Sequence, residues 1–153
     1  MGDTYTQINI QFVFAVKYRQ AMIDSKWKVE LYLYITGIVQ AKGHKMLCIN
    51  GMADHIHIFV GMRPHQAMSD LVRDIKSNSS RWINERNLTT GNFQWQNGFG
   101  AFSYSLGQLQ YVVDYILNQE SHHAKKSFRD EYIELLENFD IEYDTRYFIE
   151  DLQ

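Results

Sequence analysis

The sequence predicts an α+β domain with a split βαβ arrangement: a four-stranded antiparallel sheet, helices on one face, and further helices at the C-terminal end. Hydrophobic residues recur with a period of two in four segments, which is typical of strands, and with a period of three to four in others, which is typical of helices. The first six elements follow the order strand, helix, strand, strand, helix, strand. With 153 residues, one proline and nine glycines, the chain is expected to form a single domain over 1–153.

The first half of the chain supplies three strands and one helix. Alternating residues such as Ile10, Phe12 and Phe14 predict a first strand with one buried face. Apolar residues at helical spacing follow, and Gly43 ends that pattern. The predicted elements are a strand over 5–18, a helix from an N-cap at Ser25 to Gly43, strands over 44–50 and 55–62, and a tight connection over 51–54.

The second half supplies the fourth strand and three helices. Its predicted elements are a helix over 67–87 capped by Ser69 or by the residues just before it, a loop over 89–97 in which Phe93 and Trp95 could form a short strand, a strand over 99–105, a helix over 108–123 and an acidic helix over 128–139. This order is that of ferredoxin-like and RRM-like domains, in which the first and third strands are central. We expect helices on one face of the sheet and a free opposite face for a site or a partner, but the architecture alone does not give the function.

The charge of the chain is unevenly distributed. The net charge is −3, yet residues 1–129 carry fourteen Lys/Arg against nine Asp/Glu, a balance of +5, whereas residues 130–153 carry one against nine, a balance of −8. The body can therefore carry a basic surface for nucleic acid, although an ordinary mixed surface with a solvated acidic tail explains the same numbers.

The remaining composition predicts a cytoplasmic protein. The single cysteine, Cys48, cannot form an intramolecular disulfide and lies among apolar residues, which favours a buried structural thiol. No apolar run reaches the roughly 18 residues that span a bilayer. The N-terminus has no charged start followed by an apolar segment, so no signal peptide is predicted.

Two histidines mark the start of the predicted third strand. Because side chains alternate along a strand, His55 and His57 point to one face while Ile56 and Ile58 point to the other. Two imidazoles on one face can chelate one ion. Taken alone, a His-x-His pair favours two half-exposed histidines on an amphipathic strand over a metal site.

The predicted helix over 108–123 offers further polar groups. Tyr115 and Gln119 are four residues apart, so they lie on one helical face, and His122 and His123 follow within a turn. This face presents a phenol, an amide oxygen and an imidazole in one row. In isolation, the pattern favours a half-buried aromatic residue at Tyr115 and a solvated amide at Gln119 over a functional site.

Together these motifs resemble the HUH single-tyrosine transposases of the insertion-sequence 200/605 family. The resemblance depends on Asp54-His55-Ile56-His57 followed by Tyr115-Ile116-Leu117-Asn118-Gln119, in this strand order. It extends over nearly the whole chain through the segments 16–19 (VKYR), 70–76 (DLVRDIK), 95–100 (WQNGFG) and 128–132 (FRDEY).

The resemblance implies a metal-dependent enzyme that cleaves and rejoins single-stranded DNA. His55, His57 and Gln119 would bind a divalent ion, and Tyr115 would attack a phosphodiester to form a covalent 5′-phosphotyrosine, which a 3′-hydroxyl from another DNA end can resolve. We expect Mg²⁺ or Mn²⁺, with zinc as a weaker alternative. Whether His122 or His123 also contributes is left open by the sequence.

The resemblance also implies the partners. We expect single-stranded DNA with hairpins, a homodimer in which the tyrosine helix of one subunit completes the other's site through a hinge near Gly107, and action at a bacterial or archaeal nucleoid. Generic phosphate contacts are expected from five basic residues, Lys17, Arg19, Arg73, Lys76 and Arg81.

Two other functions fit the same residues. One is a domesticated tyrosine endonuclease that acts on repetitive extragenic hairpins. The other is a non-catalytic nucleic-acid-binding module with aromatic residues such as Tyr5 and Phe12 as stacking platforms.

Overall fold

The computed structural model describes residues 3–143 and confirms the predicted fold. One antiparallel sheet has the spatial order β2-β3-β1-β4, so the first and third strands are central, as predicted. The strands are β1 Asn9–Ala15, β2 Lys45–Met52, β3 His55–Gly61 and β4 Gly100–Tyr104. The helices are α1 Lys28–Ala41, α2 Met68–Glu85, α3 Leu109–Leu117, α4 Gln119–His123 and α5 Phe128–Asn138, with short 3-10 turns at Lys17–Arg19 and Leu106–Gln108.

The larger core lies between the sheet and helices α1 and α2. Phe12 and Ile58, on neighbouring central strands, are fully buried against Leu31 of α1 and Ile75 of α2. Every second residue of each central strand faces these helices because side chains alternate along a strand. The opposite alternation brings His55 and His57 to the other face.

That other face is also covered, so the expectation of a free face is wrong. Helices α3 and α5 pack there, with Val112 and Ile116 against Phe59, and Leu135 in a cluster with Val13. All seven residues of β1 are buried, which a strand requires when both sides of its sheet are covered. The sequence over 5–18 predicts only one buried face because the polar Asn9 and Gln11 lie on the second face.

A glycine lets α5 approach the sheet closely. A Cβ added to Gly100 in β4 would lie 2.7 Å from Cε2 of Tyr132 on α5, a distance that real Cβ atoms do not show. A side chain at this position would push the helix outwards. The N-terminal half of α5 therefore lies directly on β4 and β1.

Several element boundaries differ from the predicted ones. Ser25 and Ser69 are not N-caps: Asp24 forms the turn before α1, accepting the amide of Lys26 at 2.8 Å, and the N-cap position of α2 is Ala67. The predicted short strand in 89–97 is reduced to one isolated bridge between Trp95 and Val16. The helix predicted over 108–123 is broken in two.

The described part of the chain gives one further negative finding. Within residues 3–143, none of the helices combines the length and apolar character that crossing a bilayer requires. Residues 1–2 and 144–153, including the end of the acidic tail, lie outside the description. The single domain over 1–153 stays a prediction.

Candidate active site

The two histidines of β3 lie side by side in the interior. His55 and His57 are both fully buried, and their ring centroids are 5.2 Å apart. They face α3, α4 and α5, as the alternation of the strand predicts. Half-exposed surface histidines are therefore ruled out.

A helix break brings the residues of the third predicted helix to this pair. α3 ends at Leu117, Asn118 has a non-helical backbone (φ −98°, ψ 25°), and α4 starts at Gln119. The side-chain amide of Asn50 on β2 donates to the carbonyls of Ile116 at 3.0 Å and Leu117 at 3.2 Å. Carbonyls at a helix end need such donors, so β2 stabilises the break.

Gln119 follows the break and is fully buried. Its Oε1 lies 3.0 Å from Nε2 of His55. The structure thus brings together the three residues that the resemblance predicts as metal ligands, His55, His57 and Gln119.

Tyr115 lies next to the same cluster in the same chain. Its ring centroid is 6.0 Å from that of His57, and its hydroxyl donates to the carboxylate of Glu131 on α5. Burial and then the charge of Glu131 raise the pKa of Tyr115 above its usual value, because both disfavour the phenolate. Tyr115 therefore lies beside the histidines of its own chain, and the predicted exchange between subunits stays a prediction.

Glu131 is the central group that the sequence did not reveal. Only 2% of this residue is exposed, and its Oε1 lies 3.0 Å from Nε2 of His57 and 3.4 Å from Nε2 of His55. Its Oε2 accepts Tyr115 and the side-chain amide of Gln119, the latter at 3.1 Å. Burial by itself would raise the pKa of Glu131, but hydrogen bonds from three imidazoles outweigh it, so this pKa lies far below its usual range.

The sequence nevertheless contained a pattern that indicates a buried position for Glu131. It occupies the apolar face of α5, between Phe128 and Leu135, which are both buried. Glutamate is almost never fully buried without a partner. A carboxylate at such a position indicates a buried cation or hydrogen-bond donor.

The ambiguity between the two histidines of α4 is resolved geometrically. Nε2 of His123 lies 3.1 Å from Oε1 of Gln119 and 3.1 Å from Oε1 of Glu131. His122 instead packs on the ring of Tyr115, with the centroids 4.5 Å apart. His123 therefore belongs to the cluster and His122 supports the tyrosine.

The donor atoms fit a single divalent ion. One ligand atom each from His55, His57 and Glu131 lies within 4.8 Å of the others, in a fully buried group. Two ligand atoms bound about 2.1 Å from one ion are separated by roughly 3.0 Å in an octahedral and 3.4 Å in a tetrahedral arrangement. The Nε2–Oε1 separations of 3.0 and 3.4 Å match this range.

Further side chains orient both imidazoles through hydrogen bonds to their Nδ1 atoms. Oδ1 of Asp54 accepts Nδ1–H of His55 at 2.7 Å, which directs Nε2 into the cluster. Gln11 of β1 hydrogen-bonds Nδ1 of His57 at 2.9 Å, and Tyr104 donates to Oε1 of Gln11 at 2.8 Å. Burial lowers the pKa of His57, whereas for His55 the bonds to Asp54 and Glu131 outweigh burial and raise the pKa to about 9.

The five predicted phosphate contacts do not share one surface. Lys17, Arg73 and Lys76 line a groove of about 980 Å³ between α2 and the loop before β4. Arg19 lines smaller cavities near the start of α5, and Arg81 lies outside these cavities, bonded to Asn78.

Two of the singled-out residues have contacts that the sequence did not predict. The ammonium of Lys76 donates to the carbonyls of Gln96 at 2.8 Å and Gly98 at 2.5 Å, so it also anchors that loop. Phe12 is fully buried under α1 and α2, and a stacking platform at Phe12 is therefore wrong. Tyr5 is 87% exposed.

The comparisons with known proteins identify the family of the chain. The sequence profile of the family described as "Transposase IS200 like" matches residues 4–119. This match covers most of the chain, and the protein belongs to the IS200-like transposase family of enzymes. Glu131 lies beyond the matched residues.

Individual relatives are distant. The chain is 25% identical over 126 residues to the ISDra2 transposase TnpA of Deinococcus radiodurans, covering 78% of this chain and 87% of that protein. The crystal structure of a candidate transposase from Deinococcus radiodurans R1 superposes with a TM-score of 0.60 at 20% identity, covering 78% of this chain and 96% of the other. A REP-associated tyrosine transposase bound to a REP hairpin superposes with a TM-score of 0.61 at 16% identity, covering 80% and 73%. At these identities, the two structures show a shared fold.

Proposed function

We propose that this protein cleaves and rejoins single-stranded DNA with Tyr115 as the nucleophile and a divalent ion held by His55, His57, Gln119 and Glu131. The observation that carries the proposal is the carboxylate of Glu131. One of its oxygens faces the imidazoles and the other accepts the hydroxyl of Tyr115, so the nucleophile and the ion site share one side chain.

The chain's own residues account for the proton of the nucleophile. The raised pKa of Tyr115 means that the hydroxyl keeps its proton until the attack, its hydrogen bond to Glu131 orients it, and the proton that it then loses is balanced by the one that the leaving oxygen takes up. The oxygen of Tyr115 forms a bond to phosphorus, the bond from phosphorus to the 3′-oxygen breaks, and that oxygen takes up a proton. Reversal with a 3′-hydroxyl from another DNA end rejoins the strand and releases Tyr115.

The ligand set favours manganese over magnesium. A bound divalent ion would polarise the scissile phosphate and offset its developing negative charge. Imidazole nitrogen suits manganese and later metals better than magnesium, which prefers an all-oxygen set. His123, with its Nε2 at 3.1 Å from the oxygens of Gln119 and Glu131, strengthens the nitrogen character of the site.

We further propose hairpin DNA as the substrate and a homodimer as the active form. The basic groove with Lys17 and Arg73 supports binding of a phosphate backbone, and the REP hairpin bound to the structurally similar REP-associated tyrosine transposase supports hairpin DNA as the substrate class. β2 is an edge strand, and Val29 and Leu33 on α1 are 60% and 67% exposed, which supports an interface with a second copy. Such a substrate places the protein at the nucleoid.

A covalent-adduct assay tests the mechanism. The full chain is incubated with end-labelled single-stranded hairpin DNA and Mn²⁺, and the products are separated on a denaturing gel. We expect a protein–DNA adduct from the wild type and none from Tyr115→Phe. Tyr5→Phe, at an exposed position remote from the cluster, serves as the matched control. An undiminished adduct from Tyr115→Phe would exclude this nucleophile.

A further inference from the structure

A second cavity opens directly beside the proposed nucleophile. It has a volume of about 310 Å³, and Tyr115 and Glu131 form part of its wall. The rest of the wall comes mainly from the end of β4, from α3 and from α5. Its volume lies at the low end of small-ligand sites, which measure about 300–1,000 Å³.

Aromatic side chains form one part of this wall. Tyr104 and Phe139 meet edge to face, with ring centroids 5.4 Å apart. Tyr111 also lines the cavity and is 69% exposed. Planar rings of this kind bind nucleobases by stacking, at about 1–3 kcal/mol per base.

The polar part of the wall consists of amides, tyrosine hydroxyls and two carboxylates, of which Glu131 belongs to the cluster described above. Gln108, Asn138 and Glu134 line the cavity, and none of the described side chains around it is a lysine or an arginine. This contrasts with the groove on α2, which contains three cations. A site without cations disfavours a phosphate group, whereas amide and carboxylate groups match the edge of a neutral base.

The position of the cavity fixes which base would enter. A phosphate attacked by Tyr115 must lie against the Tyr115 hydroxyl, so the nucleoside attached to it lies at the mouth of this cavity. In a single strand that base is unpaired, and no duplex has to be opened for it to leave the stack.

We propose that this cavity binds the base of a nucleotide adjoining the scissile phosphate and selects a base with an exocyclic amino group. Glu134 is the selecting residue, since a carboxylate accepts a hydrogen bond from an exocyclic amino group, whereas the exocyclic oxygens of thymine cannot donate to it and are repelled by its charge. One oxygen of Glu134 pairs with Lys126, which leaves the other for the base. This inference rests on the proposed cleavage of single-stranded DNA.

A randomised substrate identifies the selected base and its position relative to the cut. The full chain is incubated with Mn²⁺ and a library of single-stranded hairpin oligonucleotides that carry randomised nucleotides on both sides of the stem. Covalent adducts are isolated under denaturing conditions, and the DNA is sequenced to locate the cut. We expect adenine, cytosine or guanine to be enriched over thymine by at least about tenfold at one of the two positions adjoining the cut, which corresponds to about 1.4 kcal/mol.

Variants of exposed residues then assign the preference to the cavity. Glu134→Gln and Asn138→Ala should reduce the preference at that position to below about twofold while preferences elsewhere and hairpin binding persist. Glu137→Gln, the same change one turn further along α5 and outside the cavity, should keep it. Melting temperatures check that each variant is folded.

The outcomes separate this inference from the proposed function. Adducts that form without any preference at the adjoining positions, or with a preference that Glu134→Gln and Asn138→Ala leave unchanged, would overturn the base site and leave the cleavage mechanism standing. Failure of the wild type to form any adduct would overturn both.

Discussion

Replacement of Glu131 by glutamine tests the proposed metal site most directly. The side chain is almost fully buried, with 2% exposure, so solvent does not screen its charge. Glutamine keeps the size of the side chain but removes the charge and one acceptor oxygen. It retains neither the charge-assisted bonds to His57 and His123 nor the full acceptor capacity towards Tyr115.

The expected loss of affinity can be bounded. Changes to residues that only support metal ligands cost about 10- to 100-fold in affinity. A directly bound carboxylate should cost at least the upper value, about 100-fold or 2.7 kcal/mol. In the metal-free protein, replacing two charge-assisted hydrogen bonds by neutral ones should also lower the free energy of unfolding by about 2–3 kcal/mol.

Titration calorimetry of Mn²⁺ into the metal-free full chain measures the first effect, and urea unfolding in EDTA measures the second. Glu137→Gln on the exposed face of α5 is the matched control, and Glu131→Asp, which keeps the charge on a shorter side chain, should bind with intermediate affinity. Unchanged affinity in Glu131→Gln would refute Glu131 as a ligand. Tighter Mn²⁺ binding in Glu131→Gln would show that Glu131 competes with the ion for the imidazoles of His55 and His57.

Three further predictions concern other parts of the molecule. Gln11→Leu should weaken Mn²⁺ binding about 10- to 100-fold in calorimetry, because it removes the hydrogen bond that holds His57, and Tyr104→Phe should have a smaller effect. Equal Mn²⁺ affinities of Gln11→Leu and the wild type would contradict this role of Gln11. Burial lowers the pKa of Lys76 to about 8, whereas the value in the unfolded chain is near 10.5, so between these two pH values the unfolded chain binds more protons and the wild type gains stability with rising pH. Urea titrations over this range should show that the difference in free energy of unfolding between the wild type and Lys76→Met rises with pH, and a difference that does not change with pH would refute the lowered pKa. Burial raises the pKa of Cys48 to about 11, so its thiol should react with a disulfide reagent at pH 8 only after unfolding in urea, and rapid reaction of the folded protein would contradict its buried position.

Local patterns in the sequence were sufficient for the architecture. Strand and helix periodicities depend on neighbouring residues, so the order of elements, the central position of β1 and β3 and the common face of His55 and His57 followed directly. Element ends were less well predicted. Ser25 and Ser69 have the side chains of N-caps, but the cap position also depends on the backbone of the preceding turn, and it falls at Trp27 for α1 and at Ala67 for α2.

The tertiary structure alone decided the composition of the site. Glu131 is 74 residues from His57, and no local periodicity relates two positions so far apart, whereas packing of α5 on Gly100 places them 3.0 Å from each other. The break at Asn118 likewise depends on Asn50, a residue of another strand. The sequence by itself determined the order of the elements and the common face of the histidine pair, because these follow from periodicities along the chain, and the resemblance to a known family supplied Tyr115 as the candidate nucleophile. Only the folded chain determined that a carboxylate joins them, because that contact depends on how separate elements pack.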